Sequence, residues 1–486
     1  MLLPNLRFAQ LILILFTIMI VIVRGNSKMS QTTTLSGRSR LWFVTTLLLG
    51  TFTMSISQSA VSTAYPTLMR YFSISASTVQ WLTTGFMLIM CIMMPVSPWL
   101  LSNIGFKSLF LSVLIMFDVG TLLIILAPNF PLVLLGRALE AIGVGILFPS
   151  YQTVLLTITP RENRGGAMGL AGLVMGSALA VGPIISGIVL RFTSWQGLFV
   201  VFMIIISCVI VVSLWAIVNV MPKAPSHLDW LSVISLVGFI GVLYVVNLVG
   251  KSGVNWGTAT IILVISILLL LFFAYRQLHL PEPLLDLRVF AVGQFNASVW
   301  LTGLSYIALI VVTIVFPLYY QIILGVSPFI SGMALVPGAV FLSILNPLTG
   351  KLADRIGFKK VLLIGMTMIL IGWGILALIP AKFSLWAMMP IAMLIEGGNA
   401  FVMMPATTLG ADALPKEKIS HGTAVITTMR QLLGSTGVAV ATILLSLGGV
   451  ATATLGNFHI VFITFFILEI IGLILALSLK EKKAKA

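Results

Sequence analysis

Runs of roughly twenty apolar residues recur along the whole of this 486-residue chain. A helix of about that length crosses the ~30 Å hydrocarbon core of a bilayer. Fourteen such segments are expected, at 42–64, 79–101, 108–127, 131–156, 167–190, 198–220, 230–250, 258–275, 296–319, 331–350, 360–380, 384–410, 423–448 and 457–478. Only helices and closed barrels satisfy their backbone polar groups inside lipid, and runs this long are helical. The expected fold class is therefore an all-α polytopic membrane protein. Composition agrees: 59% of residues are hydrophobic and 8% charged, whereas a soluble domain carries about 25% charged residues to cover its surface. So much apolar surface also excludes disorder. Cys91 and Cys208 each sit inside an apolar run, where a small buried hydrophobe is the simpler reading than a disulfide or metal ligand.

A shorter apolar run, 8–23, precedes the first span, with Arg7 before it and Arg24 after it. Three readings stay open for residues 1–28. A signal peptide lacks a small-x-small cleavage site here. A fifteenth helix is the second reading. The third is translation from Met29, since MSQTTTLSGRSRLW reads as a polar cytoplasmic start. Orientation follows from the basic residues. If the segment before span 1 lies inside, inside loops collect 19 basic residues from Lys28 onward. Outside loops hold Arg70, Arg191, Lys251 and Lys382 alone. That asymmetry follows the positive-inside rule and puts both ends of the fourteen-helix body in the cytoplasm. The net charge of +15 is thus mostly orientation, and no nucleic-acid partner is expected.

Span 2 ends in PVSPWLLSNIGFKSLFL (95–111) and span 10 in NPLTGKLADRIGFKKVLLIG (346–365). They align at IGFK, 104–107 and 356–359, each in the inside loop after the second helix of a group. The match implies two six-helix halves with spans 7 and 8 inserted between them. Repeat halves with a site at their interface are a common transporter plan. The expected division is 1–28 as extra helix or mis-assigned start, 38–222 as the first bundle, 227–280 as the inserted pair and 290–480 as the second bundle.

Further segments carry a family resemblance: VQWLTTGFML (79–88), GRALEAIGVG (136–145), LAVGPIISG (179–187), HLDWLSVISLVGFIGVLY (227–244), FPLYYQIILGVSP (316–328) and SHGTAVITTMRQLLGSTG (420–437). With the span 10 loop, their order and placement make the chain resemble the major facilitator superfamily. It is similar specifically to the fourteen-helix drug:proton antiporters of the EmrB/QacA type, nearest the lincomycin-resistance-like branch. The resemblance implies a cytoplasmic latch at Gly350, Asp354 and Arg355. It also implies an antiporter-type hinge at Gly182, Pro183 and Gly187, and a helix 13 motif at Arg430 and Gln431. Chemically, a carboxylate such as Asp354 accepts from a helix N-terminus or pairs with Arg, and Gly350 lets a backbone come close. A topological anchor of positive charge is the plainer alternative. In the first half, Ser102 and Asn103 stand where Asp354 and Arg355 stand in the second, so an ionic latch is missing there.

Ionisable residues inside spans are costly and are functional candidates. Six occur: Asp118, Arg137, Glu140, Glu396, Arg430 and Glu469. Arg137 and Glu140, three apart, share a helix face and can neutralise each other. The resemblance implies that helices 1, 4, 9 and 12 line a central cavity, which Glu140 and Glu396 would face from opposite halves. Glu396 precedes Gly397-Gly398, so capping a kink is its rival role. Asp118 and Glu469 are secondary acids on helices that are peripheral in the family. Related antiporters hold an acid on helix 1 where this chain has Ser57. Ser57 and Gln58 suit either a polar substrate or helix–helix hydrogen bonding. Trp42, Trp230, Trp256, Tyr319 and Tyr320 read mainly as interfacial anchors.

The expected function is proton-coupled efflux of amphipathic small molecules by alternating access. The expected partners are substrate, protons and lipid, with a monomer permitted, and the setting is a bacterial plasma membrane. The proton gradient is the energy source and no cofactor or metal is called for: no GxxxxGK[ST] pattern occurs, and the four histidines do not cluster. Export of an endogenous lipid, peptide or metabolite is the alternative. A polytopic membrane enzyme is the remote one, since no Ser/His/Asp, HExxH or acidic metal cluster is seen.

Overall fold

The computed structural model describes residues 37–225, 227–248, 253–445 and 454–479. The apolar run at 8–23 and the start at Met29 lie outside the described residues. All regular structure among the described residues is helical. The helices are α1 (Gly37–Ala60), α2 (Trp81–Asn103), α3 (Phe106–Ile125), α4 (Phe130–Ile158), α5 (Arg164–Phe192), α6 (Trp195–Ala216), α7 (Val237–Leu248), α8 (Trp256–His279), α9 (Gly293–Ile322), α10 (Val336–Ile356), α11 (Phe358–Leu378), α12 (Leu385–Asp412), α13 (Ile419–Leu445) and α14 (Leu455–Ser478). Short helices precede α7 (Trp230–Ser235) and α10 (Pro328–Met333). Twelve of the described helical segments are long and apolar enough to cross a membrane. The other two expected spans are also helical, as α5 and as Trp230–Ser235 with α7.

Local breaks follow local chemistry. α1 tightens into a 3-10 turn at Val61–Ala64, and Tyr65–Phe72 restarts with Pro66 in its first turn. Proline is tolerated there because its missing N–H has no helical acceptor. Gly357 ends α10 at φ +92°, a backbone that only glycine adopts without strain. Its partner in the sequence repeat, Gly105, sits at φ −61°. The four matching residues therefore do not share one backbone conformation.

The chain falls into two compact units. Unit one comprises Met1–Ile158, Val181–Ile240 and Leu268–Leu285; unit two comprises Thr159–Ala180, Gly241–Ile267 and Asp286–Ala486. The division therefore runs through α5, α7 and α8. Lipid tails are as apolar as leucine, so what binds helix to helix here is close packing and hydrogen bonding rather than the hydrophobic effect. Unit one packs Phe43, Phe106 and Phe110 in tilted ring contacts. Unit two packs Trp373 against Phe462 and Phe465, and Tyr319 against Phe458. Tyr319 and Tyr320 are fully buried, which corrects the interfacial reading for them. They stand at the end of α9, but the rings of Phe316 and Phe458 enclose them. Trp42, Trp230 and Trp256 are exposed, as anchors must be.

Candidate functional site

In unit one the polar centre is built on α4. Arg137 and Glu140 are both buried, and Arg137 Nη1 donates to Glu140 Oε2 at 2.5 Å. The rest of the shell comes from other helices. Thr121 Oγ1 on α3 donates to Glu140 Oε1 at 2.7 Å. Ser57 on α1 accepts from Arg137 Nη1 at 3.3 Å and also hydrogen-bonds Glu140. Arg137 Nε donates to the Leu82 carbonyl at 3.5 Å, and the guanidinium lies 4.2 Å from the Phe86 ring centroid. Glycine makes this possible. A Cβ on Gly120 would stand 2.6 Å from the Gly136 carbonyl oxygen, so α3 and α4 touch backbone to backbone, and Thr121 reaches Glu140. Ser57 thus belongs to this ion pair's hydrogen-bonding shell, while Gln58, its neighbour, is half-buried outside it. Asp118, on the same α3, lies apart: its Oδ2 accepts from Ser207 of α6 at 2.7 Å.

Unit two holds the other two acids. Glu396 on α12 is 2% exposed, and α10 crosses directly over it. A Cβ on Gly338 would lie 2.8 Å from its carboxyl carbon. Glu396 Oε2 has no hydrogen-bond partner among the described residues. One turn on, Asn399 Nδ2 donates to the Ser305 hydroxyl at 2.7 Å and the Ser305 carbonyl at 2.9 Å, fixing α12 to α9. Glu469 on α14 is fully buried, with both oxygens unpartnered among the described residues. Nearby, a Cβ on Gly472 would meet Glu469 Oε2 at 3.5 Å and Leu304 at 3.3 Å. Arg430 lies 5.4 Å from the Tyr306 ring centroid, and the Tyr306 hydroxyl donates to Gln431 Oε1 at 3.3 Å. The helix 13 motif therefore braces α13 to α9.

The segment around 350–360 forms a second site, also in unit two. Asp354 Oδ1 accepts from the Gly165 N–H at 2.8 Å and Oδ2 from the Gly166 N–H at 2.7 Å. Both donors are first-turn groups of α5, which have no acceptor within their own helix, and a carboxylate there also meets the positive end of the helix dipole. A Cβ on Gly350 would stand 2.8 Å from the Gly165 carbonyl carbon, so a larger residue would lift α10 away. Arg164 pairs with Asp412 at the end of α12 and donates to the Thr159 carbonyl. Arg355 is exposed and in no ion pair among the described residues. The clasp thus consists of Asp354, Gly165, Gly166, Arg164 and Asp412, of which the sequence marked only Asp354. In unit one, Asn219 takes a comparable part at α3: its Oδ1 accepts from Lys107 N–H at 3.0 Å. Asn103 turns back on its own helix, donating to Trp99.

Of the three hinge candidates, Gly182 is a close contact: a Cβ there would lie 3.1 Å from Ala60 N of α1. Gly187 has open space around it. The side chain of Pro183 lies outside the described residues.

Two polar clusters outside the spans were not foreseen. In unit one, Arg276 binds Asp229 through two bonds of 2.9 and 3.0 Å, Ser232 also donates to Asp229, and Gln277 connects Ser232 to the Leu285 N–H. Burial opposes ionisation of Asp229, but the Arg276 and Ser232 hydrogen bonds and the Arg276 charge outweigh it and hold the carboxyl below its ordinary range. In unit two, Asp286 accepts from Lys418 Nζ at 2.8 Å and from Arg288 N–H at 3.0 Å. Again burial is outweighed, and these partners hold Asp286 below its ordinary range. HLD and LLD motifs, each carrying its aspartate next to a helix start, were the available signal.

Comparison with known proteins gives a consistent setting. The family model described as Major Facilitator Superfamily matches residues 47–438 and 300–486. An uncharacterized MFS-type transporter, YcnB, of Bacillus subtilis (strain 168) is 35% identical over 449 residues, which is 90% of this chain and 95% of that one. The lincomycin resistance protein LmrB of Listeria monocytogenes is 33% identical over 408 residues, 83% of this chain and 86% of that one. Among solved structures, the human organic anion transporter MFSD10 matches with a TM-score of 0.66 at 12% identity, covering 91% of this chain and all (100%) of that one. At that identity the likeness speaks for the fold alone.

Proposed function

The chain belongs to the Major Facilitator Superfamily, and from that premise we propose that it exports amphipathic small molecules from a bacterial cell in exchange for protons. Membership makes it a multi-pass membrane transporter and not an enzyme. Drug efflux, proton coupling and alternating access of two six-helix halves are our reading. A relative named for lincomycin resistance supports the drug class.

The observation that carries the coupling is Glu396, a carboxyl at 2% exposure whose Oε2 has no hydrogen-bond partner among the described residues. An ionised carboxylate alone in an apolar interior costs several kcal/mol. Such a group takes up a proton or a cation instead of standing bare, so a proton and a cationic substrate compete for it. Glu140 differs, because Arg137 already neutralises it; its part is to hold α1, α3 and α4 in one arrangement. The Asp354 clasp on α5 holds one of the alternating states, and its two hydrogen bonds must open for the other. The body is oriented with both ends in the cytoplasm, as the loop charges direct.

Dye uptake into inverted vesicles, measured with and without an imposed proton gradient, tests the reading. Uptake that follows the gradient supports it, and gradient-independent flux refutes it. Glu396→Gln and Glu140→Gln are expected to insert normally and to lose coupled transport. Wild-type drug resistance in both variants would remove these residues from the mechanism.

A further inference from the structure

We propose that the outer face formed by α3 and α6 is a self-association surface, on which a second copy of this chain seats its own α3 and α6 about a two-fold axis. Six ionisable residues stand within spans, and five of them, Arg137, Glu140, Glu396, Arg430 and Glu469, are buried. Asp118 is the sixth, and it is only half-buried. Its Oδ2 accepts from the Ser207 hydroxyl at 2.7 Å, and Ser207 is exposed. Both stand near the middle of their helices, Phe106–Ile125 and Trp195–Ala216. The pair therefore lies at a depth that headgroups and bulk water do not reach.

The neighbours of the pair define a face. On α3, Ile115, Val119 and Leu122 are exposed, and with Asp118 they fall at i, i+3, i+4 and i+7, which is one side of a helix. On α6, Ile204, Ser207, Cys208 and Val211 are exposed at the same spacing. The two helices pack against each other within unit one, and the Asp118–Ser207 hydrogen bond ties the two stripes side by side. The result is an apolar surface with one carboxyl–hydroxyl pair at its centre. Two small residues in succession, Ser207 and Cys208, stand beside that pair on α6.

An ionisable side chain in a span is costly against lipid and almost always faces protein. Acyl chains have no hydrogen-bonding group to offer the pair. What covers it must be a protein surface that carries donors and acceptors at the same depth. A second copy meets that condition directly. The loop charges give every copy the same orientation across the membrane, so a two-fold axis along the bilayer normal brings identical residues to identical depths. The face is then isologous, each stripe meeting its own counterpart. A hydroxyl both donates and accepts, and a carboxyl accepts, or does both when protonated. The pair on one copy thus complements the pair on the other. Ser207 and Cys208 are small enough to let the two α6 backbones approach, and close packing with hydrogen bonds across helices is what holds helices together in lipid.

Cys208 reports on this seam, because the other of the chain's two cysteines, Cys91, is buried. The full chain is reconstituted in vesicles over a range of protein-to-lipid ratios. Dimers are counted by energy transfer between fluorophores at the C-terminus, and a short membrane-permeant bis-maleimide joins thiols across the seam. The wild type should dimerise and cross-link through Cys208. One hydrogen bond between helices in lipid shifts an equilibrium by about 3- to 30-fold, and a two-fold seam contains every change twice. Asp118→Leu and Ser207→Ala should therefore each weaken dimerisation about tenfold or more. A wild type that stays monomeric at every ratio overturns the proposal. Dimers of unchanged affinity in both variants, or dimers that do not cross-link through Cys208, belong to another face and overturn it too. If Cys208 stays hidden from a lipid-soluble maleimide at dilutions where the chains are monomeric, a segment of the same chain covers the face and the proposal falls. Should Asp118→Leu fail to fold, Ser207→Ala gives the same reading by itself.

Discussion

Replacing Glu140 by glutamine strands Arg137 as an uncompensated cation inside unit one. The guanidinium is 1% exposed and gives its shortest bond, 2.5 Å, to Glu140. What remains is a neutral amide oxygen in place of the carboxylate, one serine hydroxyl at 3.3 Å, one carbonyl at 3.5 Å and the Phe86 ring, none of which carries a compensating charge. Removing one partner of a buried pair costs about 3–5 kcal/mol, because the other is left charged and unpaired. Arg137→Met should cost about as much for the mirrored reason, with the carboxylate then held by Thr121 and Ser57 alone. Were the two sites independent, the double variant would lose the sum, about 6–10 kcal/mol. The pair is a single interaction, however, and replacing both members together leaves no charge to satisfy. Arg137→Met/Glu140→Gln should therefore be no less stable than either single variant, with a coupling energy of about 3 kcal/mol or more. Reversible unfolding in mixed detergent micelles, followed by helical circular dichroism, measures all three. Additive losses would mean that Arg137 and Glu140 do not pair in the folded protein, and the account of the α4 centre would fall.

Gly136→Ala places a methyl group where the Gly120 backbone already lies and should cost about 1–3 kcal/mol by overpacking; thermal melts read the stability, and an unshifted melt would contradict the α3–α4 contact. Asp354→Asn removes the charge from two charge-assisted hydrogen bonds, each worth about 1.5–3 kcal/mol. It should lower the melting temperature and speed proteolysis before α5, near Arg161, whereas Arg355→Gln should do neither. For pH, the folded-state pKa of Asp229 is depressed below its unfolded value near 3.8, so the unfolded chain binds more protons in that range. Its stabilisation is complete above pH ~4 and disappears as the pH falls through the lower, folded value. Melts between pH 3 and 7 should show a shallower acid limb in Asp229→Asn than in the wild type; matching limbs would mean that Arg276 does not hold the carboxylate.

The comparison of Glu396 with Glu469 marks how far sequence reading reaches. Both are acids inside apolar spans, and only the family resemblance, through the helix each stands on, set Glu396 before Glu469. In the fold, Glu396 keeps a sliver of exposure under Gly338, while Glu469 is sealed near Met366 and Leu304. Similarly, Ser57 was legible as a polar residue on α1, but its place beside Arg137, 80 residues away, was not. Asp354 was recognisable as a carboxylate suited to a helix N-terminus, yet which N-terminus receives it was not.

The sequence by itself determined where helices cross, where basic loops lie, that IGFK repeats and that Arg137 and Glu140 share a face. Those properties depend on residues within a few turns of each other, because partition into lipid and helix periodicity are local. Only the tertiary structure decided that Thr121 and Ser57 complete the Arg137–Glu140 centre, that Asp354 caps α5, that Arg164 meets Asp412, and that Tyr319 and Tyr320 are buried. The physical reason is that a polar group inside a bilayer finds partners on whichever helices pack beside it. Which helices do so is settled by backbone contacts at glycines such as Gly120, Gly136 and Gly350, across separations of up to 248 residues, as between Arg164 and Asp412.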